Sequence, residues 1–189
     1  MTRNVEQFIE SNIDLIDADN WKELQEKAFK ELRDNYHEFN AVMLSAGINP
    51  MVNLEIIPWK SMMDCPQDTY EIPNNVRIID AQAFQAAGFS YIKIPEGVEQ
   101  VNFRAFAECP RLKEVYLPST IKTLKGAIFM HCPQLEKIVY NGSSEDFNKI
   151  EKATQDSPFT WYTAAADLHR VNAVVDCKDK RILIGAFGR

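Results

Sequence analysis

The chain has little cysteine, little histidine and no long apolar run. Its 189 residues hold four cysteines and three histidines. Cys65 and Cys177 have no CxxC partner and no zinc-type spacing is present, so no cofactor or metal is expected. No apolar stretch approaches the roughly 18 residues of a membrane helix, so no membrane partner is expected. GxSxG, HExxH, P-loop and GxGxxG motifs are missing, which removes the usual sequence warrants for an enzyme. Asp17 and Asp19 start like a calcium loop, but Lys22 stands where that loop needs Gly and Ala28 where it needs Glu. The opening Met1-Thr2-Arg3-Asn4-Val5-Glu6 lacks the basic-then-apolar layout of a secretory leader, from which a cytoplasmic location is expected.

Excess positive charge is also lacking. The formal net charge is −6 at pH 7, unevenly spread. Residues 1–70 carry 6 Lys/Arg against 13 Asp/Glu, a net −7; residues 71–189 carry 15 against 14, a net +1. An acidic front half disfavours direct nucleic-acid binding, which needs a cationic footprint. It suits a basic partner, or simply a solvated helix face. An apolar content of 46% argues for a packed interior rather than disorder.

What is present is a repeat. Ile72-Pro73, Ile94-Pro95 and Leu117-Pro118 each open a unit, and Ala83-Phe84, Ala105-Phe106 and Ile128-Phe129 follow at matching distances. Both series advance by about 22 residues, within the period of stacked-coil architectures. After each Pro come Val76, Val98, Ile121 and then Ile79, Val101, Leu124; after the second and third Phe come Cys109, Cys132, then Leu112, Leu135, then Val115, Ile138. Ala87, Phe89 and Ile92 fill the corresponding places in the first unit, with a residue missing in a turn. One short coil cannot bury an apolar face alone, so these positions must share one interior. Cys109 and Cys132 should then stack on neighbouring coils as reduced, packing thiols, although a disulfide is geometrically open to them.

The pattern Ile-Pro-x-x-Val-x-x-Ile/Val followed by Ala-Phe-x-x-Cys-x-x-Leu-x-x-Val-x-Leu-Pro resembles the BspA-type leucine-rich repeat. The match is close over Ile94–Tyr116 and Leu117–Val139 and looser over Ile72–Lys93. Tyr140-Asn141-Gly142-Ser143-Ser144 with Phe147 and Ile150, and Val174–Asp179 before Ile182–Ile184, are similar to the terminal units of such arrays. The resemblance implies a fold, and it implies binding or adhesion modules with many unrelated partners. Residues 1–71 resemble the helical heads of small phage-encoded proteins that carry such repeats.

Three parts are expected: a helical head over 1–71, repeats over 72–143 and a cap over 144–189. In the head, Val5, Phe8, Ile9, Ile13 and Ile16 fall on one helical face. Trp21, Leu24, Ala28 and Leu32 make a second stripe, and Tyr36, Phe39, Met43 and Ala46 a third. Asn20 and Glu23 have capping-box spacing, and Gly47 suits a helix C-terminus. Residues 51–71 read least clearly: Leu54–Ile57 suggests a strand ended by Pro58, and Trp59, Met62 and Met63 suggest packing. Beyond the repeats, Ser144 can cap a short helix running through Glu151, with Phe147 and Ile150 turned inward. Val171–Val175 and Ile182–Ile184 around Lys178-Asp179-Lys180 predict a hairpin.

The fold class expected is therefore α/β, a short leucine-rich-repeat solenoid with a helical N-terminal cap and a C-terminal helix-plus-hairpin cap. Strand alternation sends Val115 and Leu117 inward and Tyr116 outward. Lys93, Tyr116 and Val139 should form one outer column, with Tyr91, Glu114 and Lys137 beside it, and these six are the candidate partner-binding residues. His131 beside Cys132 has nucleophile–base letters, but the Cys sits at a packing position, and His37 and His169 have no third group tied to them. Non-catalytic recognition of a protein partner is the expected function, in a narrower form a phage-encoded inhibitor of a host defence protein whose acidic head imitates DNA. A self-assembling structural or surface component is the alternative.

Overall fold

The computed structural model describes residues 1–16, 20–152 and 173–184. Helices α1 (Arg3–Ser11), α2 (Trp21–Leu32) and α3 (Tyr36–Ser45) form the head. Each buries its apolar stripe: Val5 and Phe8 from α1, Trp21, Leu24, Ala28 and Leu32 from α2, Tyr36, Phe39 and Met43 from α3. Phe39 is the hub, edge-on to Phe8 at 5.6 Å and stacked on Trp21 and Tyr36 at 6.3 and 6.2 Å. Burial there pushes the Tyr36 phenol up to about 12, against a weaker opposing hydrogen bond from Asn40. Gly47, at φ +80°, ends α3 with paired bonds from its own N–H to Leu44 O and from Ile48 N–H to Met43 O. This is a Schellman stop, which needs a left-handed residue at that point.

Some local expectations fail for identifiable reasons. Ile13 is 63% exposed, because α1 closes at Ser11 and a 3-10 turn, Ile13–Leu15, rotates it off the apolar face. The capping box does not form: Asn20 has near-helical backbone angles and its side chain makes no capping bond. Ala46 is exposed beyond the end of α3.

The ladder of coils begins at Glu55, inside the stretch that reads least clearly. Strand β1 (Ile56–Ile57) pairs in parallel with β2 (Ile78–Ile79), then β4 (Gln100–Val101), β6 (Thr123–Leu124) and β8 (Glu151–Lys152). Residues 55–71 are thus shaped as a coil, with Ile57, Met62 and Cys65 buried in the places that Ile79, Phe84 and Ala87 hold in the next coil. Trp59 does not pack inward; it is 42% exposed beneath the Lys60 ammonium.

A second sheet runs along the other side. It consists of β3 (Tyr91–Lys93), β5 (Glu114–Leu117), β7 (Lys137–Tyr140), β9 (Ala173–Asp176) and β10 (Arg181–Ile184), in the order β10-β9-β7-β5-β3. Only β9 and β10 are antiparallel, the expected hairpin. Between the sheets lies the interior. Phe84, Phe106 and Phe129 are each fully buried; Phe84 stacks on Phe106 at 5.1 Å and 3°, and Phe106 on Phe129 at 5.9 Å and 22°.

The turns carry their own ladder. Lys60, Gln82, Arg104 and Ala127 have φ of +53 to +56°, and four residues later Asp64, Ala86, Glu108 and His131 have φ of +55 to +60°. None of these is Gly, and a left-handed L-residue costs roughly 1–2 kcal/mol. What offsets the cost is a run of backbone bonds to the next coil: Gln82, Phe84 and Ala86 N–H donate to Phe103, Ala105 and Ala107 O at 2.8–3.0 Å. Arg104, Phe106 and Glu108 N–H repeat this onto Gly126, Ile128 and Met130 O at 2.6–3.2 Å. The sharp turn keeps every second amide pointing along the stack, so the strained conformation and the bonding are one feature.

Helix α4 (Ser144–Lys149) closes the far end, with Phe147 and Ile150 buried as expected. Ser143, not Ser144, is its cap, accepting from the Asp146 N–H at 3.1 Å. The helix stops before Glu151, which belongs to β8. Ser144 is occupied elsewhere: its N–H and hydroxyl both donate to the Asp179 carboxylate, at 2.6 and 2.7 Å, which ties the hairpin turn to the array. Val171 and Asn172 of the expected hairpin, His169, and residues 17–19 lie outside the described residues.

Candidate functional site

Parallel pairing without a register shift fixes what the outer face of the second sheet displays. Tyr91 pairs with Glu114 and Glu114 with Lys137; Lys93 pairs with Tyr116 and Tyr116 with Val139. The two expected columns are therefore present. Ile92, Val115, Leu117 and Ile138 point the other way and are buried. The second column extends to Asp176 through β9 and to Arg181 through β10. Glu71 bridges Lys93 at its other end. Asp176 and Arg181 are residues that the repeat pattern misses, because the hairpin joins the sheet from outside the period.

The face is not flat. Ser90, Tyr91, Lys93, Lys113, Glu114 and Tyr116 line a shallow depression of about 550 Å³. A narrower one of about 270 Å³ adjoins it, sharing Lys93 and Tyr116 and reaching Glu96, Pro118, Val139 and Asn141. Tyr91 is 48% exposed. The Tyr116 hydroxyl donates to the Glu114 carboxylate at 2.7 Å, and that bond to an anion pushes the phenol up. Lys137 and Arg181 both reach the Asp176 carboxylate, at 3.9 and 2.7 Å.

Glu96 is held by the two coils beyond it. Its carboxylate accepts from the Ser119 N–H and hydroxyl at 3.1 and 3.0 Å, and from the Asn141 amide at 2.5 Å. Burial pushes its acidity the other way, but these bonds outweigh it and hold the carboxyl below its usual range.

The thiols face inward. Cys65, Cys109, Cys132 and Cys177 are all free, and the first three are buried. Cys109 donates to Phe84 O at 3.3 Å and Cys132 to Phe106 O at 3.1 Å, so both sulfurs bind the stack rather than each other covalently. The neighbouring Cys132 thiol and burial push Cys109 well up, the reverse of what a nucleophilic thiolate needs. His131 is on the turn, with Cys132 aimed into the core behind it. Among the described residues no group of three or more His, Cys, Asp or Glu is placed to hold a metal ion. Among them too, no helix is long and apolar enough to cross a membrane.

Stacked parallel coils around an aromatic column, with a polar sheet face outward, define a repeat solenoid of the kind that presents a surface. The model of the BspA type leucine rich repeat region matches residues 55–154 in 6 copies, and the chain belongs to that family. The match starts where the coil ladder starts, at Glu55. Among solved structures, the chain is similar to a leucine rich cell surface protein from Faecalibacterium prausnitzii A2-165. The two are 20% identical over 46% of this chain and 35% of that one, with a TM-score of 0.25. The chain thus spans about a third of that protein's length. No curated protein matches.

Proposed function

We propose that the protein is a non-catalytic recognition module whose second sheet binds a protein partner through Tyr91, Lys93, Glu114, Tyr116, Lys137 and Val139. The observation that carries this reading is the contrast between the two sides of the same strands. Inward residues repeat in kind from coil to coil, whereas the outward ones change completely from Tyr91 to Glu114 to Lys137 and from Lys93 to Tyr116 to Val139. Stacking asks nothing of the outward letters, and two exposed or half-exposed tyrosines among them are favoured interface anchors.

The test is affinity purification with mass spectrometry, wild type against Tyr116→Ala, with circular dichroism to verify folding. Truncating a central anchor costs about 2 kcal/mol or more of binding, enough to remove a partner from the eluate. Equal recovery by both proteins would move the interface off the sheet. The narrower proposal, an inhibitor from a phage acting on a host defence protein in the host cytoplasm, draws on the small size and the −7 head. It requires that the recovered partner come from bacterial lysate and be lost when the head is neutralised. The adhesive, self-assembling alternative is separated by light scattering, since it demands a species larger than the monomer.

A further inference from the structure

We propose that the furrow across β3, β5 and β7 receives an acidic stretch of the partner protein, one carboxylate of which seats between Lys93 and Lys113 beside the ring of Tyr91. This rests on the sheet face being the docking surface, and adds the chemical class of what docks there.

The argument is the unequal state of the charges that line the furrow. Its two carboxylates are already engaged: Glu114 accepts from Tyr116, and Glu96 accepts three bonds from Ser119 and Asn141. Its two ammonium groups are not. Among the described residues Lys93 and Lys113 reach no carboxylate within ion-pair distance, although the chain is acidic overall. Lys137, further along, is held by Asp176. An arriving carboxylate therefore meets two cations that have no ion-pair partner, while Glu114 and Glu96 keep their charge but are already turned to hydrogen-bond donors of their own. The shared Lys93 and Tyr116 join the two depressions, so an extended peptide crossing the strands passes over both. Tyr91 supplies exposed apolar area and a hydroxyl donor at the same rim. Two lysines fall well short of the cationic track that a phosphate backbone demands, which favours a peptide over a nucleic acid. The net −6 repels any polyacid at a distance, so capture of one must be local to this furrow.

The experiment is fluorescence anisotropy at low salt with three labelled peptides of equal length, alternating Ala with Glu, Lys or Ser. The Glu peptide should bind, the other two should not, and added salt should weaken the complex. Lys93→Gln/Lys113→Gln should lose about tenfold or more in affinity. Lys22→Gln/Lys30→Gln, which removes the same charge from the head, should bind like wild type. Failure of the Glu peptide to bind, equal binding of all three peptides, equal loss in both double variants, or stronger binding of a single-stranded oligonucleotide would each overturn the proposal. Partner capture that survives Lys93→Gln/Lys113→Gln but not Tyr116→Ala would reject the acidic class while leaving the docking face standing. Capture lost in neither would reject both.

Discussion

Phe106→Ala would remove the middle ring of the column, and its cost follows from what that ring touches. Phe106 is fully buried, lies 5.1 Å and nearly parallel above Phe84, and 5.9 Å from Phe129. Truncating a buried Phe costs about 3–5 kcal/mol through lost transfer energy and the cavity left behind. Two ring contacts, each worth about 0.5–1.5 kcal/mol beyond area, put this site toward the upper end. The backbone on both sides is held by the turn ladder, from Phe84 N–H to Ala105 O and from Phe106 N–H to Ile128 O, so the walls have little room to collapse. We expect a loss of about 4–5 kcal/mol, a large share of the roughly 5–15 kcal/mol that a domain holds. Phe106→Leu, which keeps most of the volume and loses the stacking, should cost about 1–2 kcal/mol. The assay is urea unfolding followed by circular dichroism, with tryptophan fluorescence in parallel in a Trp161→Phe background, where Trp21 reports on the head and Trp59 on the first coil. In a quasi-linear array a weakened central interface uncouples its two ends. In the Ala variant the two signals should therefore separate. A loss under 1 kcal/mol with coincident transitions would refute the shared interior.

Two further predictions concern acidity and the turns. Glu96 has a folded acidity held below its ordinary value of 4.5, so its contribution is present above that pH and lost as pH falls through the lower folded value. Glu96→Gln should accordingly lose less stability than wild type between neutral and strongly acidic pH, measured as the shift in urea midpoint; equal losses would remove Glu96 from the account. Ala86 sits at φ +58°, so Ala86→Gly relieves roughly 1 kcal/mol of strain while adding about 0.4–1 kcal/mol of unfolded-state entropy, leaving stability near wild type. Ala86→Val, β-branched in the left-handed region, should destabilise by more than 1 kcal/mol, about the lower bound of that strain. Thermal unfolding of the pair decides it.

The parts legible in advance were those where a side chain repeats. The Pro, Phe and Cys series gave the coil length, and alternation then placed Tyr91, Glu114 and Lys137 beside Lys93, Tyr116 and Val139, because parallel pairing without slippage leaves no other arrangement. The coil at residues 55–71 was hidden because it changes the most telling letters, Met62 standing for Phe and Tyr70 for Ile, although Ile57 and Cys65-Pro66 match their counterparts in other coils. The turn ladder was hidden for a deeper reason. Its bonds are between backbone atoms, and Lys60, Gln82, Arg104 and Ala127 share a conformation without sharing any side-chain property. The cap of α4 falls on Ser143, one residue before the expected Ser144, whose hydroxyl is taken by Asp179, thirty-five residues away.

The same physics explains why the fold was easier to read than the partner. In a strand of period two, half the residues answer to the stack and half to solvent. The inward half is over-determined: Val115 touches the same kind of neighbour that Ile92 and Ile138 do, so the requirement repeats every coil and leaves a period in the sequence. The outward half has no such repeating neighbour requirement, so its letters leave no period from which a partner could be read. That is why Lys93 and Lys113 matter. Stacking does not require their charge, and among the described residues neither reaches a carboxylate within ion-pair distance, so an acidic partner would find both available.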